Sequence, residues 1–359
     1  MSKLNKISLL MPFDMGLELD FASQDDELLY RELQVHHLKN LSLEQETFFL
    51  NAAINTHFFR FGIGLIEINF EFEGDIKECV RLVKKIGSFS VGCQSLKEYC
   101  RKLSLEVIEK AFPYASYRYA LRLEEMEFFP IFLLAELPAE NLETFIKRHQ
   151  KMLIGIVSGE YDYESLSDFI LEKEPIKNLG YYNDELILIK RYGAVFCSKH
   201  DRELLDLLRF TYAQYWSLRS YNYILNRELS EAQILLKDLP SYTNVWATFR
   251  RYNHFSKEAL EFSRDKLSIV DSLHNLVQSV QHIDSDWRLH TLYGYFNDSF
   301  EINQLYQTVD TKMARIESSY NNARDFLSTN FFIILDVIFF LSLAWSIIDT
   351  FLLWKLTAK

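Results

Sequence analysis

Glycine and proline almost vanish from the second half of this chain. Of its 11 glycines and 6 prolines, only Gly294 and Pro240 lie beyond residue 193. Both residue types make turns and are unwelcome inside helices. Their loss excludes a continued alternation of short elements and predicts long helices from about residue 200 onward. Cysteine is scarce as well: Cys79, Cys93, Cys100 and Cys197. Their spacings fit neither a paired C-x-x-C zinc site nor a disulfide framework, so free, mostly buried thiols in a reducing compartment are expected. Positive charge is in deficit, with 39 Lys/Arg against 50 Asp/Glu and a net charge of −11. That weighs against general nucleic-acid binding, which needs basic surface to neutralise phosphates. Residues 1–199 carry 23 Lys/Arg and 31 Asp/Glu, a balance that an anionic lipid surface would repel. Any membrane attachment therefore has to come from apolar residues. A secretory leader is not expected, because Lys3 and Lys6 precede only the short run Ile7 to Met11, which Pro12 and Asp14 interrupt.

Motifs of chemistry are missing too. The sequence holds no P-loop, G-x-S-x-G, H-E-x-x-H or kinase signature. Gly62-Ile63-Gly64 lacks the third glycine of a dinucleotide site. His274, His282 and His290 recur every eight residues, and that step turns a helix about 80° out of alignment, so they cannot share one face. His36-His37 and the run Glu124, Glu125, Glu127 read as surface. Tyr212, Tyr215, Trp216, Tyr221 and Tyr223 recur at helical spacing and read as core. No catalytic, cofactor-binding or metal-ligating residue is assigned.

What the chain does have is apolar material: 48% hydrophobic residues, with 20 Tyr and 29 Phe. At 359 residues, more than one folding unit is expected. The reading is an α+β N-terminal domain (1–199), long antiparallel helices forming a stalk or bundle (200–329), one C-terminal transmembrane helix (330–355) and a short tail (356–359). In the first region Ile63–Phe72 is the clearest strand. Ile66, Ile68, Phe70 and Phe72 form its buried face, and Glu67, Asn69, Glu71 and Glu73 its solvated one. Gly62 and Gly64 beside it mark a bulge or a close backbone approach. Further strands are predicted at Ile7–Pro12, Tyr117–Leu123, Ile131–Leu137, Leu186–Lys190 and Ala194–Ser198, the last two joined by a hairpin turn at Arg191-Tyr192-Gly193. Helices are predicted near 26–40, 75–87, 94–112 and 140–152. Together these suggest a sheet covered on one face, with ferredoxin-like crossovers.

From Asp201, a helix cap, an apolar stripe of Leu204, Leu208, Tyr212, Tyr215, Leu218, Tyr221, Leu225 and Leu229 predicts one helix to about Leu239. Pro240 ends it and Ser241 starts a second, over 243–283, with Ile269, Leu273, Leu276, Val277 and Val280 inward. A break follows at Asp284–Asp286, extended by Gly294. A polar helix over 298–328 then runs without Gly or Pro into FFIILDVIFFLSLAWSIIDTFLLW, Phe331 to Trp354. These residues would rise roughly 36 Å as a helix, against a hydrocarbon core of about 30 Å. Sixteen of them are Leu, Ile, Phe or Val, each favouring insertion by about 0.3–0.6 kcal/mol at the helix centre. Asp336 and Asp349 oppose this by up to about 3 kcal/mol each, less near the headgroups. Trp354 and Lys355 suit an interfacial anchor. Ser342, Ser346 and Asp349 fall on one face and suit a contact with another helix, while Asp336 points elsewhere. The same length would also fit the core helix of a soluble bundle. Insertion after synthesis, with the N-terminal domain left in the cytoplasm, is the expected single-pass topology.

The hairpin strand YGAVFCS (Tyr192–Ser198), the long helices after it, and NQLYQTVDTKMARIESSYNNARDFLS leading into a single terminal membrane helix carry a resemblance. In that order of parts the last half of the chain resembles the tail-anchored family named for its requirement in meiotic nuclear division. The resemblance implies a membrane-tethered scaffold or assembly factor. CorA-type divalent-metal transporters share the plan of an α/β domain, stalk helices and C-terminal membrane helices. They use two such helices and a Gly-Met-Asn motif, which this chain lacks. The expected function is a membrane-anchored scaffold or interaction protein with an acidic cytoplasmic head and no cofactor. Its expected partners are the lipid bilayer, another protein, and a second copy through stalk and membrane helix. An oligomeric channel or CorA-like transporter subunit is the alternative, and a membrane-tethered enzyme the third reading.

Overall fold

The apolar run Ile7–Phe13 and the alternating Ile63–Phe72 pair as neighbouring antiparallel strands in the computed structural model, which describes residues 4–19, 37–43, 49–136, 141–160, 162–173, 175–237, 245–279 and 286–357. Contacts divide the chain into two compact units, Met1–Tyr221 with Val270–Gln307, and Asn222–Ile269 with Thr308–Lys359.

The first unit is built on a mixed sheet. Its strands are β1 (Asn5–Asp14), β3 (His37–Leu43), β4 (Phe49–Phe59), β5 (Ile63–Phe72), β6 (Phe89–Val91), β7 (Gln94–Ser95), β9 (Phe129–Leu133), β10 (Leu186–Lys190) and β11 (Gly193–Cys197). They run in the order β10-β11-β9-β1-β5-β4-β3-β6-β7. Two further strands, β2 (Leu17–Leu19) and β8 (Ala115–Arg118), form a separate small sheet. The central order β9-β1-β5-β4, antiparallel at every step, is the one that ferredoxin-like crossovers produce. β11 then lies parallel to β9, which requires a crossover connection.

The helices of this unit before residue 200 are α1 (Ile76–Lys85), α2 (Leu96–Ala111), α3 (Leu142–Arg148), α4 (Gln150–Ser158) and α5 (Asp168–Lys173). Asp75 caps α1 by accepting from the Lys77 N–H, and Ser95 caps α2 by accepting from the Glu98 N–H. Cys79, Val83, Leu103, Val107, Leu153 and Val157 of these helices join Ile7, Leu9, Ile66, Ile68, Phe132 and Val195 of the sheet in one core. The second face of the sheet is covered too. There the first half of α6 (Asp201–Lys237) and α8 (Trp287–Ser299) bring Tyr212 against Phe129 at 4.7 Å and Phe296 against Phe196 at 6.2 Å between ring centroids. A strand buried on both faces reads as a continuous apolar run, and β1 is buried at every position from Ile7 to Asp14.

This overturns the expectation of a sheet covered on one face. Glu67, assigned to the solvated side of β5, is wholly buried, while Glu71 on the same side stays exposed. Other corrections are local. Residues 37–40 and His37 belong to β3, so the predicted helix over 26–40 does not reach them; 20–36 lie outside the described residues. Of the predicted 117–123 strand only Tyr117 and Arg118 are strand, the end of Ala115–Arg118 in the small sheet, and the 131–137 strand is Phe129–Leu133. The 140–152 helix is two, α3 and α4, parted at His149. Gly294 lies inside α8 and breaks nothing. The β10–β11 hairpin, with Arg191 and Tyr192 at its turn, is as expected. So is the close backbone approach at the glycines. Gly62 has φ +79 and any Cβ there would meet the Leu17 carbonyl at 2.6 Å; one on Gly64 would meet the Phe13 ring at 2.1 Å.

The second unit takes the end of α6, most of α7 (Val245–Ser279) and most of α9 (Ile302–Thr357). On α9 the buried residues Val309, Met313, Ile316, Tyr320 and Ala323 recur at steps of four and three, the spacing of a helix seam. Tyr320 packs on Phe262 of α7 at 5.5 Å, and Lys266 of α7 reaches Glu317 at 2.6 Å. Rising numbers on one helix meet falling numbers on the other, so α7 and α9 are antiparallel. Lys312 donates to Asn222 and Asn226 of α6, each at 2.5 Å. Ile269 and Leu273 are buried as expected. The side chains of Leu276 and Val277, and residues 238–244 and 280–285 around Pro240, Ser241, Val280 and Asp284, lie outside what is described. The chain thus has an N-terminal α/β sheet region, then long helices, ending in one apolar helix.

Candidate functional site

Among the described residues of the first unit four carboxylates are buried, Asp14, Glu18, Glu67 and Glu185. Glu18 accepts from the Tyr119 hydroxyl, and the other three reach the helices on the second face of the sheet. Glu67 on β5 accepts from Ser8 Oγ and from Arg209 Nη2 at 2.6 Å each, and its other oxygen meets His57 Nε2 at 2.7 Å. Burial alone would raise its pKa. The His57 hydrogen bond, the Arg209 charge and the Ser8 hydroxyl outweigh that and hold the carboxyl at about 2. Arg209 continues to Asp206 at 2.5 Å. A carboxylate aligning an imidazole is a device for proton transfer. Here, however, the neighbouring Ser8 is fully buried and its hydroxyl is already committed to Glu67, so it is not placed as a nucleophile.

Glu185, just before β10, accepts from Ser198 Oγ at 2.6 Å, Arg288 Nη2 at 3.1 Å and the Tyr181 and Tyr182 N–H groups at 3.2 Å. Arg288, on α8, also reaches Glu203 of α6 at 2.9 Å and lies over the Tyr182 ring. Beside this group an open cleft is lined by Tyr182, Asp184, Glu185, Lys199 and His200. Its charges are matched within it, Lys199 to Asp184 at 2.7 Å. Asp14 at the end of β1 accepts from the Gly16 and Leu123 N–H groups and from Ser220 Oγ. Burial pushes its pKa up against those three donors. Glu67, Glu185 and Asp14 each tie the sheet or its margin to a helix on the second face, so the arrangement locks α6 and α8 in place.

The cysteines are free, Cys93 exposed and Cys79, Cys100 and Cys197 buried. Burial pushes the Cys100 thiol up to about 12, far from a reactive thiolate. Among the described residues no three His, Cys, Asp or Glu side chains converge as a metal-holding group.

The residues singled out in the sequence all lie on α9. Leu335–Lys355 is a helical stretch of 21 residues with mean hydropathy 2.0, and none of it is buried in this chain. At about 1.5 Å per residue it rises roughly 32 Å, long enough to cross a bilayer. Ser342, Ser346 and Asp349 fall within an arc of about 60° at 100° per residue, and all are exposed. Ser342 donates to the Phe339 carbonyl, and Thr350 to that of Ser346, both at 2.8 Å. Asp336 lies about 120° away around the helix from Ser342 and is not brought to that face. Trp354 and Lys355 close the stretch, with Trp354 beside Phe351 at 6.2 Å.

Glu67, His57, Arg209, Glu185 and Arg288 were not legible as a group. Arg209 directly follows the apolar-stripe residue Leu208 and is the one local hint. The partners lie 142 and 103 residues apart in the two longest links, Arg209–Glu67 and Arg288–Glu185, beyond any spacing rule. No family model, curated protein or solved structure matches the chain.

Proposed function

We propose that this protein is a membrane-anchored scaffold or interaction protein, held by the end of α9 as a single span, with the α/β unit on the cytoplasmic side. The observation that carries this reading is the exposure of sixteen large apolar side chains between Phe332 and Trp354. Burying one such side chain is worth about 1.5–3 kcal/mol. Transferring all of them from water into hydrocarbon is thus worth on the order of tens of kcal/mol, more than the roughly 5–15 kcal/mol of net stability that a fold possesses. A bilayer supplies that gain along the whole circumference of the helix, as one packed neighbour would not. Asp336 is one residue inside the stretch and Asp349 six from its end, so both sit nearer the headgroups, where a carboxylate is tolerated. Ser342, Ser346 and Asp349 meet a helix of another copy or of a partner. A scaffold fits the rest of the chain because the buried carboxylates are committed to packing. The resemblance to the tail-anchored family points the same way.

Carbonate extraction tests the reading. The full chain should stay in the membrane pellet, and a chain ending at Asn330 should be released. Release of both would overturn it.

A further inference from the structure

The register of the second unit sets what lies level with the start of the apolar stretch. Phe262 of α7 faces Tyr320 of α9, and Lys266 faces Glu317. One step back along α7 therefore matches one step forward along α9. Trp246, sixteen residues before Phe262, falls level with Asp336, sixteen after Tyr320. Arg250 and Arg251 fall level with Phe332 and Phe331, just short of the stretch that begins at Leu335. Both helices run unbroken over these residues and rise alike at about 1.5 Å per residue.

The residues at that level are those a membrane interface takes. Val245–Lys257 contains Trp246, Phe249, Tyr252, Arg250, Arg251 and Lys257 and no acidic residue, in a chain of net charge −11. Indole and phenol rings favour headgroup depth, and basic side chains near it are drawn to anionic lipid. The acidic residues of α7 itself are sorted the other way. Glu258, Glu261 and Asp265 come only later on α7, beside Glu228 and Glu231 of α6, away from the apolar stretch.

We infer that the first two turns of α7, Val245–Arg251, dock on the lipid headgroups of the membrane that α9 spans. This makes a second membrane contact besides the anchor, and it rests on the single-span reading above. The contact fixes the second unit against the bilayer surface through a stretch of helix that carries aromatic and basic residues and no acidic one.

Nitroxide labels on the full chain in phosphatidylcholine–phosphatidylserine vesicles test it, with exposed Cys93→Ser as background. Labels go at Thr248→Cys, at Leu260→Cys three to four turns away, and at Phe340→Cys within the apolar stretch. The ratio of oxygen to nickel-chelate accessibility at 248 should be several-fold above that at 260. It should fall to the value at 260 when Arg250→Glu and Arg251→Glu are added. Equal ratios at 248 and 260, with 340 in hydrocarbon, would overturn the docking and leave the anchor standing. An aqueous label at 340 would overturn the anchor and the docking together. Immersion at 248 that survives the double glutamate variant would overturn the assignment to anionic headgroups.

Discussion

Removing the Glu67 carboxylate takes away the buried acceptor shared by Ser8, His57 and Arg209 and leaves Arg209 only its pair with the exposed Asp206. Breaking a buried ion pair by deleting one partner costs about 3–5 kcal/mol, because the remaining charge keeps its desolvation penalty. Glu67→Leu should therefore lower the unfolding free energy of the α/β unit by that order, read by urea titration of the detergent-solubilised chain. The pH dependence has a definite sign. The folded pKa, about 2, lies below the ordinary 4.5, so the contribution is present above about pH 4.5 and is lost as pH falls toward 2. Wild-type stability should decline across that window, and the Glu67→Leu variant should decline less, in thermal unfolding measured as pH is lowered. At this scale the sequence misled: Ile66, Ile68, Phe70 and Phe72 alternate correctly with Glu67, yet alternation identifies two faces without saying what covers the second. Gly62 and Gly64 were legible, since only a residue without Cβ tolerates such close approach.

The helices of the second unit hold their own conflict of charge. Glu228 of α6 is pushed up to about 7, first by burial and then by Glu231 on its own helix and Asp265, Glu258 and Glu261 from α7. From α9 it faces Tyr320, whose own pKa is raised by burial and by Glu228, Glu258 and Glu231. Lys257 and Arg227 offset Glu261 and Glu231 in i,i+4 pairs, each modest at the surface, and His254 lies 3.6 Å from Glu258. A folded pKa above the ordinary 4.5 means that the stabilising contribution is complete below about pH 4.5 and is lost as pH rises through about 7. Glu228→Gln should then raise the melting temperature at pH 8, leave it nearly unchanged at pH 4.5, and flatten the slope between, as followed by circular dichroism. Long helices were the most legible elements, because the loss of Gly and Pro and a three-four apolar step are both local signals. Strand ends were not: Phe129 and Pro130 extend β9 upstream of Ile131 because they pair with Leu10 and Leu9 of β1, a partner more than a hundred residues away.

For the whole molecule, the proposed contact between terminal helices rests on the polar arc of α9, Ser342, Ser346 and Asp349. A carboxyl among Leu, Ile and Phe side chains gains most by hydrogen bonding to another helix, at about 1–2 kcal/mol. Asp349→Leu should reduce the assembly mass measured by light scattering in mild detergent, while Asp336→Leu, off that arc, should not. An unchanged mass in the Asp349 variant would count against the contact. The apolar terminal helix, the long polar helices before it, the scarcity of turn residues and the acidic balance were determined by the sequence alone. Each is a property of neighbouring residues, and hydropathy and helix propensity act over a few turns. Only the tertiary structure decided that α6 and α8 cover the second face of the sheet and bury Glu67, Glu185 and Asp14. It likewise decided that α7 runs antiparallel to α9, with Phe262 against Tyr320 and Lys266 against Glu317. Those facts depend on which surfaces meet after the chain folds back on itself. Burial and charge pairing are set there by partners distant in sequence, and a linear pattern does not carry that information.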